Sequence, residues 1–161
     1  MAHLSWAILL TILSCTGCVE QRPDDALEPN DTLEDATEIT IGIPIEARAN
    51  QGNSDVFKIE VDADEILSID LVSLGKENCP GFTLIDPSAQ VLFKDASARC
   101  RRIGQPEIHD AAVEFQINGE DYFFQTETTV SGYYYFTITE GRDADNILSY
   151  SWDYRLTVTV E

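Results

Sequence analysis

The sequence predicts an all-β protein, a β-sandwich, behind an export signal. Three observations carry this. Short runs rich in β-branched and aromatic residues, alternating apolar and polar, recur from residue 38 to the end. Turn-forming pairs separate them at close spacing, and only the stretch Thr32 to Thr37 offers a helical pattern. Many short strands with such punctuation argue two packed sheets rather than strands alternating with helices.

The chain opens on an apolar, uncharged run from Leu4 to Leu13. At about 10 residues it is too short to cross a bilayer, which takes roughly 20, and it fits the apolar segment of a signal peptide. Ser14-Cys15-Thr16-Gly17-Cys18 follows directly. Small residues before a cysteine admit a lipoprotein signal peptidase, and the sulfur then carries the lipid. Gly17 makes Cys18 the first choice of anchor, with Cys15 the second; an ordinary secretory signal is the plainer alternative. Residues 1–18 are thus a signal, residues 19–27 a polar, acidic tether containing Pro23, and residues 28–161 the folded domain. Nine extended residues reach about 30 Å at most.

Strands are expected at 38–42 and 43–47, then at 56–61 and 67–71, the last alternating strictly as Leu67-Ser68-Ile69-Asp70-Leu71. Phe82 to Ile85 and Val91 to Phe93 flank Asp86-Pro87-Ser88-Ala89, whose proline presets a turn and makes a hairpin. Residues 112–117 and 122–124 flank Asn118-Gly119, a strong hairpin signal because both residues tolerate positive φ. The segments 132–139 and 152–160 complete the set.

The net charge is −19, with 29 acids against 10 Lys and Arg, and the first 18 residues contain none of these. So acidic a surface repels nucleic acid and anionic lipid headgroups, and any membrane attachment would be through the lipid anchor alone. Cys79 and Cys100 remain in the domain; in an oxidising compartment such a pair is most simply a disulfide. It would close a loop of about 20 residues, worth ~3 kcal/mol in the chain-entropy model.

Several motifs in order resemble the bacterial pre-peptidase C-terminal (PPC) domain. They are Glu28-Pro29-Asn30-Asp31-Thr32, Ala36-Thr37, Ser54-Asp55-Val56-Phe57-Lys58-Ile59-Glu60-Val61, Leu67 to Leu71, Phe82 to Ser88, Gly132-Tyr133-Tyr134-Tyr135-Phe136 and Tyr154-Arg155-Leu156-Thr157-Val158. The resemblance covers residues 28–161. The chain departs from the pattern in a longer segment from Asp95 to Ala111, and in Ala89, where the family has glycine. The resemblance implies a jelly-roll-like antiparallel sandwich, serving as an accessory module of exported enzymes. It also implies a possible calcium site at Glu28, Asn30, Asp31 and Asp55. Calcium takes six to eight oxygens, and these side chains can supply several. The competing reading of Asn30 or Asp31 is a cap on a short helix.

Catalytic constellations are not evident. His109 is the one histidine of the domain, in an irregular segment, and neither a G-x-S-x-G elbow nor an HExxH motif occurs. Tyr133 and Tyr135 share one face of their strand, Tyr134 and Phe136 the other. One pair belongs to the core, and Tyr133 and Tyr135 are candidates for a binding row. The expected function is a non-catalytic, exported binding or accessory domain. It would sit in the outer membrane facing the periplasm or the surface, or be secreted, and hold an envelope or extracellular protein or polysaccharide. A carbohydrate-binding module is the second reading, and a hydrolase using His109 a distant third.

Overall fold

The computed structural model describes residues 26–50, 53–74, 81–95, 107–108, 113–118, 121–139, 141–142, 149–150 and 152–161. The signal with Cys15 and Cys18, the tether up to residue 25, Cys79, Cys100 and His109 lie outside the described residues.

Thirteen strands and no helix occur among the described residues. Sheet A joins β1 (Thr37–Glu38), β3 (Ser54–Val61), β10 (Gly132–Thr139), β5 (Gly81–Ile85), β6 (Val91–Asp95) and β7 (Glu107–Ile108), in that order. Sheet B joins β2 (Ile45–Ala49), β13 (Trp152–Val160), β4 (Ile66–Ser73), β9 (Asp121–Glu127) and β8 (Glu114–Asn118). A small ribbon pairs β11 (Gly141–Arg142) with β12 (Ser149–Tyr150). All pairings are antiparallel except β1 with β3. This is the antiparallel sandwich the alternation predicts.

The two inner faces meet in one core. Sheet A contributes Phe57, Ile59, Val61, Phe82, Leu84, Phe93, Tyr134, Phe136 and Ile138; sheet B contributes Leu67, Ile69, Leu71, Tyr122, Phe124, Tyr154, Leu156 and Val158. Phe82 and Phe124 stack between the sheets with centroids 4.1 Å apart and planes 19° apart, and the Phe93 ring meets Phe124 edge-on at 4.8 Å. Such pairs add to the area term of burial.

Both hairpin signals hold. The β5–β6 connection is closed by Asp86: its buried Oδ1 accepts the Ser88 N–H at 2.9 Å and the Gln90 N–H at 2.7 Å. Ala89 there has φ of 63°, the left-handed conformation for which the resembling family uses glycine. Around residues 119–120, Asn118 faces Asp121 across β8 and β9.

Two local expectations are corrected. The stretch Thr32 to Thr37 forms no helix: residues 31–35 bend and Thr37 begins β1. Thr32 Oγ1 accepts the Asp35 N–H at 3.2 Å and donates to Asp35 Oδ2 at 2.9 Å, the bonding of a helix start. Six residues do not support a helix without more to propagate it, and pairing of Thr37 with Phe57 claims the end of the stretch. The strand expected at 38–42 is only Thr37–Glu38, and that expected at 43–47 is shifted to Ile45–Ala49. Between them the chain crosses from sheet A to sheet B. Gly42 takes φ of 75°, the Ile43 N–H donates to the Thr40 carbonyl at 3.2 Å, and Ile41 and Ile43 are exposed. The alternating isoleucines imitate a strand, but they follow a turn.

Candidate functional site

β3 begins at the site. Its inward positions alternate from Asp55 through Phe57 and Ile59, so the alternation that builds the core also drives a carboxylate inside. Asp55 is fully buried. Its Oδ2 accepts the hydroxyl of Tyr154, which is equally buried on β13 of the opposite sheet. This pair joins the two sheets.

The segment before β1 lies against the same end of β3. The Asn30 carbonyl accepts the Val56 N–H at 2.8 Å, and Thr37 Oγ1 donates to the Leu27 carbonyl at 3.4 Å. Asn30 is therefore fully buried beside Asp55, and neither Oδ1 nor Nδ2 of its side chain has a hydrogen-bond partner. Glu28 follows a similar course: its Oε2 accepts the Asn30 N–H at 3.2 Å, and its Oε1 accepts Asn53 Nδ2 at 2.5 Å. Asn53 Oδ1 and Asn50 Nδ2 are further buried side-chain atoms without partners.

This concentration of unmet polar atoms is unusual, because a buried polar group left unbonded costs about 1–3 kcal/mol. Among the described residues no three His, Cys, Asp or Glu converge as ligands. The donor set is instead two carboxylates, Glu28 and Asp55, with the amide oxygens of Asn30 and Asn53. A hard cation accepts that mixture, whereas zinc prefers nitrogen and sulfur. The residues present fit calcium. A bound ion would satisfy the Asn30 and Asn53 oxygens and fasten residues 26–36 to β3.

Of the four residues expected from sequence, the structure brings Glu28, Asn30 and Asp55 together, while Asp31 is exposed. Asn53 takes part as well, and its only signal in the sequence is the amide-rich run Asn50-Gln51-Gly52-Asn53. Tyr154 was legible only as part of a closing strand.

The tyrosines of β10 divide as their spacing requires. Tyr134 and Phe136 are buried in the core. Tyr133 and Tyr135 stand on the outer face of sheet A, partly exposed.

No protein-family model matches the chain, and no curated protein matches it. Solved structures do. The chain is similar to the pre-peptidase C-terminal domain of a collagenase from Bacillus anthracis, at 16% identity and a TM-score of 0.51, over 86% of this chain and 98% of that one. It is also similar to PliG of Aeromonas hydrophila, a periplasmic inhibitor of g-type lysozyme, at 12% identity and a TM-score of 0.51, over 78% of this chain and 96% of that one. At these identities the likeness is one of fold, and at that level the structure meets the sequence resemblance: the chain has the β-sandwich fold of the pre-peptidase C-terminal domain.

Proposed function

We propose that this chain is a non-catalytic, exported binding domain, held at the cell envelope by a lipid on Cys18 or Cys15, whose partner is a protein. The observation that carries the reading is the extent of the fold match. It takes in 98% of the collagenase's pre-peptidase C-terminal domain and 86% of this chain. The second neighbour, PliG, is a periplasmic inhibitor of another protein, g-type lysozyme, which supports a protein partner and an exported setting. The polar cluster at the head of β3 fits a structural role: calcium held by Glu28, Asn30, Asp55 and Asn53 would order the N-terminal segment. Catalysis by His109 is not part of this reading. His109→Ala is expected to leave every measured activity intact.

Retention from envelope extract tests the reading. The immobilised protein is expected to retain a discrete protein in stoichiometric amount. Carbohydrate binding is the second reading, favoured only by the outward position of Tyr133 and Tyr135. Retention on a glycan array, lost in Tyr133→Ala or Tyr135→Ala, would establish it in place of the first.

A further inference from the structure

The outer face of sheet A carries an arrangement that neither the core nor the cluster at β3 uses. Register sets Glu38, Lys58, Tyr135 and Ile85 side by side across β1, β3, β10 and β5, and Glu60 beside Tyr133 in the adjacent row. Glu38 and Glu60 are exposed, and the two tyrosines, Lys58 and Ile85 are partly exposed. The Lys58 ammonium lies over the Tyr133 ring, 5.2 Å from its centroid. The rings of Tyr133 and Tyr135 are 6.5 Å apart and inclined by 52°.

Two aromatic faces beside two carboxylates form the surroundings in which a cation is held by ring quadrupole and charge together. The face already holds one ammonium, its own Lys58. The negative potential is felt by the Tyr133 phenol, whose pKa is raised by Glu38 first and Glu60 next. The inclined rings make no flat platform for a sugar. A net charge of −19 steers cationic partners toward the molecule and anionic ones away.

We propose that this face docks a lysine- or arginine-bearing segment of the partner protein, seating its cation on Tyr133 and Tyr135 beside Glu38 and Glu60, in the place that Lys58 fills in the free protein. The inference rests on the reading of the chain as a protein-binding domain. It carries a consequence that general acidity does not: Lys58 competes with the partner.

The test is a calorimetric titration of the full exported protein, in detergent at fixed ionic strength, with hexalysine as the probe and hexaserine as the neutral control. The Tyr133→Ala/Tyr135→Ala protein is expected to bind hexalysine about tenfold more weakly, the loss of two cation–π contacts. Lys58→Gln is expected to bind it about threefold or more tightly. Arg155→Gln removes the same charge from the other sheet and should change binding less than about twofold. If the double variant melts early, the Lys58 and Arg155 contrast decides alone. Equal gains in those two variants, undiminished binding by a folded tyrosine variant, or equal binding of hexaserine would overturn the proposal. Retention from envelope extract separates the two failures. A protein kept equally by wild type and the tyrosine variant refutes this surface and leaves the protein-binding reading standing. No protein kept by wild type refutes that reading and the inference with it.

Discussion

At the scale of single residues, backbone conformation and charge placement make the sharpest predictions. Ala89 holds φ of 63° in the β5–β6 turn, a conformation costly for any residue with a Cβ. Ala89→Gly is therefore expected to stabilise the fold by on the order of 0.5–1 kcal/mol, after the entropy cost of glycine is subtracted. Gly132 is the converse case. Its φ is 139°, and a Cβ there would stand 3.0 Å from Pro87 Cβ, so Gly132→Ala should cost about 2 kcal/mol or more. Urea melts of the two variants, moving in opposite directions, check both. Asp70 lies on the outer face of sheet B, between Phe123 and Thr157 in register. Burial first, and then the Asp121 carboxylate, raise its pKa above the usual range. A carboxyl whose folded pKa is raised favours the fold when protonated, and that contribution is lost as pH rises through the folded value. Asp70→Asn should thus melt higher than wild type at pH 7. The difference should close as pH falls below about 3.9, the ordinary aspartate value. A melting series across pH that shows a constant difference would contradict this account.

Elements show how far sequence pattern reaches. The long inner strands were legible because their alternation and their burial have the same cause, a sheet with one wet face. The crossover from β1 to β2 was not, because Ile41 and Ile43 alternate without being buried, and the Gly42 φ, its contact to β13 and the Ile43-to-Thr40 bond reveal a turn. The ladder of β2 with β13 is flanked by side-chain pairs: Arg48 with Asp153, and Arg155 with Glu46 at 2.9 Å, each directly across from its partner on the other strand. The candidate site was half legible. The acidic motif at Glu28 and the head of β3 are visible as residue types, but Asn53 and Tyr154 join through contacts that span loops and sheets, which no local pattern encodes. The segment from Ala26 to Ala36 supplies the elemental prediction. Calcium added to EDTA-treated protein should raise the melting temperature by on the order of 5 °C or more at concentrations well above Kd, because the ion binds only the native state. Glu28→Gln should diminish that rise. No rise at millimolar calcium would remove calcium from the account and leave the cluster as a buried amide network.

For the whole molecule, the described residues form one sandwich around an apolar core, and the net charge of −19 repels anionic polymers. The fold class was read correctly from turn spacing and alternation, because these are properties of every strand and survive errors at any one. Partner identity was not, because no local pattern of alternation or turns encodes it. Membrane attachment belongs to this scale as well. Cys18→Ser is expected to abolish incorporation of labelled palmitate and to release the protein from the membrane fraction; unchanged labelling would shift the anchor to Cys15, and no labelling of the wild type would make the chain a secreted one. The central claim, that the protein acts by holding another protein, is tested most directly by crosslinking the tagged, full-length chain in intact cells and resolving the adducts by mass. The account predicts a discrete adduct with one exported protein, carrying basic residues at the crosslinked segment. Adducts with polysaccharide alone, or none with any protein, would contradict it.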